Sequence, residues 1–123
     1  MGQAKPLNYT ALVVEDDPLQ RGMLALLLEE SDMSVVECES AEAAAVLLDR
    51  YGSSLTLMIT DINLAGNMTG VELAHFAKQE HPNLCVIVTS AAVGDPDLPI
   101  GATFMPKPWV PLDVLREVAR AQD

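Results

Sequence analysis

The sequence predicts an α/β fold in which an open parallel sheet carries helices on both faces. Short apolar segments alternate with segments of helical spacing along the chain. The first apolar segment, residues 9–14, is apolar at almost every position, which is typical of a strand buried on both faces. Strands separated by single helices favour parallel βαβ units with right-handed crossovers.

The same alternation continues to the end of the chain. Strands are predicted at residues 9–14, 34–38, 55–60, 84–89 and 103–105. Helices are predicted at residues 19–30, 41–51 and 71–79, with a last one inside 108–121 that starts near Pro111 or Leu112. We expect residues 9–123 to form one domain and residues 1–8 to be a flexible N-terminal segment.

Two predicted helices have clear start signals. Asp17 precedes Pro18, so Asp17 can cap the first helix and Pro18 can be its first residue. Ser40 is the predicted cap of the second helix. The first helix carries a broad apolar face, formed by Leu19, Met23, Leu24, Leu26, Leu27 and Leu28.

The segment between the fourth and fifth predicted strands is rich in helix breakers. Pro96, Pro99, Gly94 and Gly101 interrupt residues 91–102. We therefore expect this segment to be a loop. Its two acids, at positions 95 and 97, are interpreted as turn formers and solvated charges.

The charge balance excludes several kinds of partner. The 123 residues include 7 Lys or Arg and 18 Asp or Glu, for a net charge of −11. Direct binding to nucleic acid or to an anionic membrane surface needs a basic face, so neither is expected. The sequence has no signal-peptide pattern and no apolar run of bilayer length, so we expect a cytoplasmic protein.

The two cysteines, Cys38 and Cys85, both lie in apolar, strand-like segments. Neither belongs to a CxxC motif or has histidines nearby, which argues against a metal or redox role. We expect buried free thiols, as in proteins of a reducing compartment.

Polar side chains follow four of the predicted strands, at the edge where open α/β sheets form their sites. They are Glu15, Asp16 and Asp17 after the first strand, Asp61 after the third, Thr89 and Ser90 at the fourth, and Lys107 after the fifth. Two carboxylates about 5 Å apart repel by roughly 3 kcal/mol at an effective dielectric near 20. A hard cation such as Mg²⁺, which takes oxygen ligands, relieves that repulsion.

The same groups suit phosphoryl transfer. A carboxylate such as that of Asp61 can act as the nucleophile and become an aspartyl phosphate. Mg²⁺ and Lys107 would neutralise the charge that develops on the transferred oxygens, and the hydroxyl of Ser90 could bind one of them.

Four motifs at these strand ends resemble the receiver domains of bacterial two-component response regulators, of the chemotaxis-regulator type. They are LVVEDDP at 12–18, TDINL at 60–64 with Gly70 downstream, VTSA at 88–91 and FMPKP at 104–108. They occur in the family's order and span nearly the whole chain. The resemblance implies a doubly wound, flavodoxin-like sheet of five parallel strands in the order 2-1-3-4-5.

The resemblance also implies a metal site. Asp61 matches the phospho-accepting aspartate and Asp16 the direct ligand of Mg²⁺, for which Mn²⁺ can substitute. Glu15 matches the acid that reaches the metal through water. Asn63 matches the position whose backbone carbonyl binds the metal.

Three further residues match the family's switch. Lys107 matches its lysine, Ser90 its switch hydroxyl and Phe104 the aromatic that turns inward on phosphorylation. Alternation along a strand lets either Thr89 or Ser90, but not both, face the site, and the resemblance favours Ser90. Receivers carry a fourth helix between the hydroxyl and the aromatic. Because prolines and glycines interrupt the corresponding residues 91–102 here, we expect that helix to be shortened or absent.

By resemblance, the phosphoryl group comes from a phosphohistidine on a sensor histidine kinase or a histidine phosphotransfer protein, and partner binding changes in response. A downstream protein is implied but not identified. The domain would be a phosphoryl acceptor, not an enzyme, beyond self-phosphorylation and slow self-dephosphorylation.

Two alternatives remain. A phosphatase of the haloacid-dehalogenase type also uses an aspartate nucleophile, but its second aspartate is replaced here by Asn63, and no cap insertion is visible. The other is a phosphorylation-independent interaction module on the same fold.

Overall fold

Strands and helices alternate along the chain in the computed structural model, which describes residues 10–91 and 96–122. The strands are β1 (Thr10–Val14), β2 (Ser34–Cys38), β3 (Leu57–Asp61), β4 (Cys85–Ser90) and β5 (Thr103–Pro106). The helices are α1 (Pro18–Glu30), α2 (Ala41–Tyr51), α3 (Gly70–Glu80) and α4 (Pro111–Gln122), and a short 3-10 turn, Gly52–Ser54, follows α2. Tyr9 and the predicted N-terminal segment lie outside the described residues.

All strand pairs are parallel, and the sheet has the order β2-β1-β3-β4-β5. The predicted fold and strand order are therefore confirmed. From β1, the second strand of the sheet, the chain moves to the edge strand β2 and then crosses back to β3, β4 and the other edge at β5. The strand order reverses beside β1, and in doubly wound sheets ligands bind above such a point.

The strands separate two cores because their side chains alternate between the faces of the sheet. One core lies between the sheet and the α2–α3 layer, and includes Leu12, Val14, Met58, Val86 and Val88 with residues of those two helices. The other lies on the α1–α4 layer, and includes Ala11, Val13, Ile59, Ile87 and Met105. The central strands β1, β3 and β4 contribute to both cores, as their continuous apolar runs indicated.

The buried stripe of α1 is narrower than its apolar face. Leu24, Ala25 and Leu28 are buried. Leu19 is 78% exposed, Leu26 57% and Met23 54%. A helix lying on a sheet buries one stripe with helical spacing, so the outer leucines stay at the surface whatever their hydropathy.

The predicted helix caps are present. The carboxylate of Asp17 accepts the N–H of Leu19 at 3.1 Å, and the hydroxyl of Ser40 accepts the N–H of Ala43 at 3.2 Å. Helix α3 has a capping box that the sequence analysis did not identify. There Thr69 accepts the N–H of Glu72 at 3.1 Å, and Glu72 accepts the N–H of Thr69 at 2.9 Å.

The segment after β4 follows the prediction where it is described. Residues 96–102 form no helix, and residues 92–95 lie outside the described part of the chain. Leu98 and Ala102 pack against the α2–α3 core. The ring of His75 on α3 lies 2.8 Å from the carbonyl oxygen of Asp97. These residues therefore pack against the α2–α3 layer as an irregular segment, with a turn closed by the N–H of Ala102 on the carbonyl of Pro99 at 3.1 Å.

Gly70 gives a test of the packing beneath the strand ends. A Cβ on Gly70 would lie 1.9 Å from the backbone oxygen of Asp61, and backbone cannot rotate away. We expect Gly70→Ala to lower the free energy of unfolding by at least about 2 kcal/mol, as overpacking does. Urea unfolding measures this loss.

Gly22→Ala is the matched control, because a Cβ at this position in α1 meets nothing within 4 Å. It should raise stability by about 0.5–1 kcal/mol through better helix propensity. Equal changes in the free energy of unfolding for the two substitutions would contradict the tight packing of Gly70 against the Asp61 backbone.

Candidate functional site

Strand alternation brings three charged side chains together at the carboxyl edge of the sheet. Glu15, Asp61 and Lys107 each lie two residues beyond a residue of the α1–α4 core, so they project to the same side. Those core residues are Val13, Ile59 and Met105. Backbone bonding keeps the chain extended past two strand ends: the N–H of Glu15 donates to Cys38 at 3.0 Å, and that of Lys107 to Ser90 at 2.9 Å.

The ammonium group of Lys107 lies between the two carboxylates. Its Nζ is 2.6 Å from Oδ2 of Asp61 and 3.2 Å from Oε1 of Glu15. The side chains of Lys107, Asp61 and Glu15 are 15%, 8% and 2% exposed. Little solvent screens these charges, so their mutual interaction is stronger than on a surface.

The surroundings shift the pKa values of Glu15 and Lys107. Burial raises the pKa of Glu15, and the charge of Asp61 adds to the rise, against the opposing effects of the Asp17 N–H and of Lys107. Burial alone would lower the pKa of Lys107. The hydrogen bond and charge of Asp61, with those of Glu15, outweigh burial and raise that pKa above its ordinary value. Lys107 therefore stays charged at neutral pH.

Backbone donors fix the remaining carboxylate oxygens. Oδ1 of Asp61 accepts the N–H of Asn63 at 3.1 Å, and Oε2 of Glu15 accepts the N–H of Asp17 at 3.1 Å. Nη1 of Arg21 donates to the backbone oxygen of Glu15 at 2.9 Å. Both oxygens of each carboxylate therefore accept a hydrogen bond, which fixes the orientation of the Asp61 and Glu15 side chains.

Asp16 and Asn63 lie further toward solvent than the other predicted site residues, and both are exposed. Asp16 lines an open groove of about 540 Å³ with Glu39, Ser40, Glu42, Ala65 and Gly66. Within residues 10–91 and 96–122, no three His, Cys, Asp or Glu side chains are close enough together to hold a metal ion. The structure therefore unites Glu15, Asp61 and Lys107, and leaves Asp16 at the solvent side.

The predicted switch residues lie on β4 and β5. Ser90 is the last residue of β4, is 1% exposed and pairs in register with Pro106. Thr89, the alternative to Ser90 for the switch hydroxyl, is fully buried, and its Oγ1 has no hydrogen-bond partner in the described part of the chain. Phe104 is half-buried on the edge strand and lines a groove of about 290 Å³ against α4. The assignment of the switch to Ser90 and Phe104 stays a prediction.

An apolar groove lies beside Lys107. It has a volume of about 560 Å³ and is lined by Gln20, Met23, Ala91, Lys107, Pro108 and Trp109. Trp109 is half-buried there, beside Lys107.

Glu42 was missed in the sequence analysis. Its Oε2 accepts the N–H groups of Asn67 and Met68, at 2.8 and 2.9 Å. These residues belong to the loop that follows Asp61, 25 and 26 positions away from Glu42. An acid in the first turn of a helix is usually read as a partner of the helix dipole, and no local pattern points to so distant a contact.

The cysteines agree in part with the prediction of buried free thiols. Both thiols are free; Cys38 is buried and Cys85 is half-buried. Burial raises the pKa of each thiol, and the charge of Glu117 raises that of Cys85 further.

In the described residues, no helix combines the length and apolar character that crossing a bilayer requires.

Removing the buried cation should destabilise the fold. Lys107→Met leaves Glu15 and Asp61 facing each other without compensation, so we expect a loss of about 3 kcal/mol in urea unfolding. Adding Glu15→Gln to that variant should restore part of the loss, because one of the repelling charges is gone.

Arg116→Met is the control for the change of charge, because Arg116 is 63% exposed and pairs weakly with Asp113 at 4.0 Å. Its effect should stay within about 0.5 kcal/mol. A Lys107 variant as stable as the Arg116 variant would contradict a structural role for the buried contact.

The Glu42 contact should be visible in the pH dependence of stability. Hydrogen bonds from the N–H groups of Asn67, of Glu42 itself and of Met68 hold the pKa of Glu42 below its ordinary value of 4.5. A lowered folded-state pKa stabilises the fold above the unfolded-state pKa, and that contribution is lost as pH falls through the folded-state value. The stability advantage of wild type over Glu42→Gln should therefore shrink on acidification below 4.5. A difference that stays constant with pH in urea unfolding would contradict this.

Comparison with known proteins agrees with the geometry. The model of the response regulator receiver domain family matches residues 11–104. A cyclic di-GMP phosphodiesterase of Thermotoga maritima is 32% identical over 112 residues, which cover 87% of this chain and 29% of that protein. The hydrogenase transcriptional regulatory protein HoxA of Cupriavidus necator is 30% identical over 122 residues, covering 92% of this chain and 24% of that protein.

A solved structure shows the same fold along almost the whole chain. The response regulator receiver protein from Pseudomonas putida is 28% identical with a TM-score of 0.76, and the match covers 94% of this chain and 99% of that one. The chain spans less than a third of the length of the two curated relatives. The family match takes in most of the chain, from the start of β1 to Phe104 on β5. The chain therefore belongs to the response regulator receiver domain family.

Proposed function

We propose that this domain accepts a phosphoryl group on Asp61 from a phosphohistidine in a two-component phosphorelay, and that the modified domain binds a partner differently. The contact of 2.6 Å between Lys107 Nζ and Asp61 Oδ2 carries the proposal. It places a buried carboxylate beside a cation at the edge where doubly wound sheets bind ligands. Membership of the receiver family supports the same role.

The transfer requires little covalent chemistry from the protein. A carboxylate oxygen of Asp61 forms a bond to phosphorus while the bond between phosphorus and the imidazole nitrogen of the donor breaks. The electron pair of the broken bond stays on that nitrogen, and histidine leaves as a neutral imidazole because its other ring nitrogen carries a proton in the reacting form of the donor. Lys107 stabilises negative charge on the phosphoryl oxygens, and the Asn63 N–H orients the acceptor through Oδ1.

Mg²⁺ is the proposed cofactor, with Mn²⁺ as a substitute. The available donors are all oxygens, which is the chemistry that Mg²⁺ prefers. Asp16 and Asp61 would bind it directly, Glu15 through water, and Asn63 through its backbone carbonyl. Mg²⁺ usually keeps several waters, so two direct carboxylates, one of them the exposed Asp16, suit it even though the described residues contain no cluster of three acids that could hold a metal. When bound, the ion supplies positive charge to the phosphoryl oxygens.

The proposed response uses Ser90 and Phe104. The Ser90 hydroxyl would bind a phosphoryl oxygen once the group is on Asp61, and Phe104 would turn inward on the edge strand. The proposed donor is a sensor histidine kinase or a histidine phosphotransfer protein. Beyond self-phosphorylation and slow self-dephosphorylation, we propose no enzymatic activity.

The test is the intact mass after incubation with acetyl phosphate and Mg²⁺. Wild type should gain one phosphoryl group, and Asp61→Asn should gain none because the amide is a poor nucleophile. EDTA should prevent the gain in wild type. Asp49→Asn, which alters an exposed acid on α2, is the matched control and should be modified like wild type.

An adduct on Asp61→Asn would contradict the assignment of the acceptor. If wild type gains no group from acetyl phosphate, the measurement is repeated with a phosphohistidine-bearing phosphotransfer protein. Failure with both donors would reject phosphoryl acceptance and favour the phosphorylation-independent interaction module.

A further inference from the structure

One carboxylate on α2 ties down the loop that follows Asp61. Oε2 of Glu42 accepts two successive backbone N–H groups of this loop, those of Asn67 and Met68, at 2.8 and 2.9 Å. A bridge between Ser40 and Ala65 adds a backbone link at the same place. Hydrogen bonds to an ionised acceptor are stronger than neutral ones, so Glu42 is the stronger of the two links.

The loop is shaped to receive this carboxylate. Gly66 has a φ of +101°, a conformation that side chains disfavour. A Cβ on Gly66 would lie 2.7 Å from Oε1 of Glu42 and 3.0 Å from Oε2. The glycine therefore serves both the turn and the close approach of the carboxylate.

The same loop carries a group that contacts the acceptor. The N–H of Asn63, near the start of the loop, donates to Oδ1 of Asp61 at 3.1 Å. At the far end, the N–H of Gly70 donates to the carbonyl of Ile62 at 2.9 Å, which closes the loop on itself. Between these two ends, the loop is bound to the neighbouring helix through Glu42.

We propose that Glu42 is a positioning residue, which holds the loop so that the Asn63 N–H stays on Asp61 and the acceptor stays aimed for phosphoryl transfer. This inference rests on the proposed function of Asp61. Glu42 acts through the loop backbone and touches no reacting atom. It couples the N-terminal turn of α2 to the phosphoryl-acceptor site.

Amide hydrogen exchange tests the positioning directly. In Glu42→Ala, the amides of Asn67, Met68 and Asn63 should exchange about 10-fold faster than in wild type, because local opening of the loop costs less. Amides in the centre of β1 should be unaffected, which separates a local effect from general destabilisation. Unchanged exchange at Asn63 would overturn the proposal, even if Asn67 and Met68 lose protection.

Two further variants sharpen the exchange experiment. Glu42→Gln keeps one acceptor oxygen, so it should restore part of the protection at Asn63 that Glu42→Ala loses. Glu39→Ala removes an exposed acid from the same groove and should leave all three loop amides as in wild type. Loss of Asn63 protection in both alanine variants would assign the effect to charge in the groove and overturn the role of Glu42.

The rate of phosphoryl uptake from acetyl phosphate is the second readout. Glu42→Ala should be slowed about 10-fold at saturating Mg²⁺ and Glu42→Gln less, since misplaced groups lose part of the advantage of orientation. Glu39→Ala should keep the wild-type rate. An unchanged rate in Glu42→Ala would overturn the positioning role. If wild type itself takes up no phosphoryl group, the proposed function fails, and the exchange at Asn63 still decides whether Glu42 positions the loop.

Discussion

The buried ammonium group of Lys107 between Asp61 and Glu15 is the interaction on which the rest of the site depends. Two carboxylates in so little solvent repel each other strongly, and a single cation 2.6 and 3.2 Å away makes their proximity tolerable. Glu15 and Lys107 directly follow β1 and β5, and Asp61 is the last residue of β3, so one contact ties together three strands that are distant in sequence. In the proposed function, the charge of Lys107 that stabilises the resting site would also stabilise the incoming phosphoryl group.

Backbone contacts and side-chain packing together fix the loop after Asp61, whose Ile62, Leu64 and Met68 pack against the α2–α3 core. Gly70 lets the start of α3 approach the backbone of Asp61 more closely than any other residue could. The same loop turns at Gly66 and is bound there by Glu42. These contacts position the loop whose Asn63 N–H donates to Asp61.

Much of this arrangement could be predicted because it depends on local rules. Strand ends, the capping residues Asp17 and Ser40, and the helix-breaking prolines each leave a signature within a few positions of sequence. Parallel topology then brings the strand ends together, which predicts Glu15, Asp61 and Lys107 as neighbours. The Glu42 contact could not be predicted, because it joins positions 25 and 26 residues apart through a loop conformation that no periodicity specifies. The width of the buried stripe on α1 could not be predicted either, because composition does not say which leucines face the sheet.

The segment after β4 shows why the site can stay intact while a neighbouring element changes. In residues 10–91 and 96–122, the side-chain oxygens of Asp61 and Glu15 are bound by Lys107 and by the backbone N–H groups of Asn63 and Asp17, none of which lies in residues 96–102. Residues 96–102 instead pack on α3, through Leu98 and the contact of Asp97 with His75. The charged contact therefore needs no helix at residues 96–102. Residues 96–102 lead into β5, which carries Phe104, so a change in them would alter the surface near the proposed switch and leave the proposed acceptor site in place.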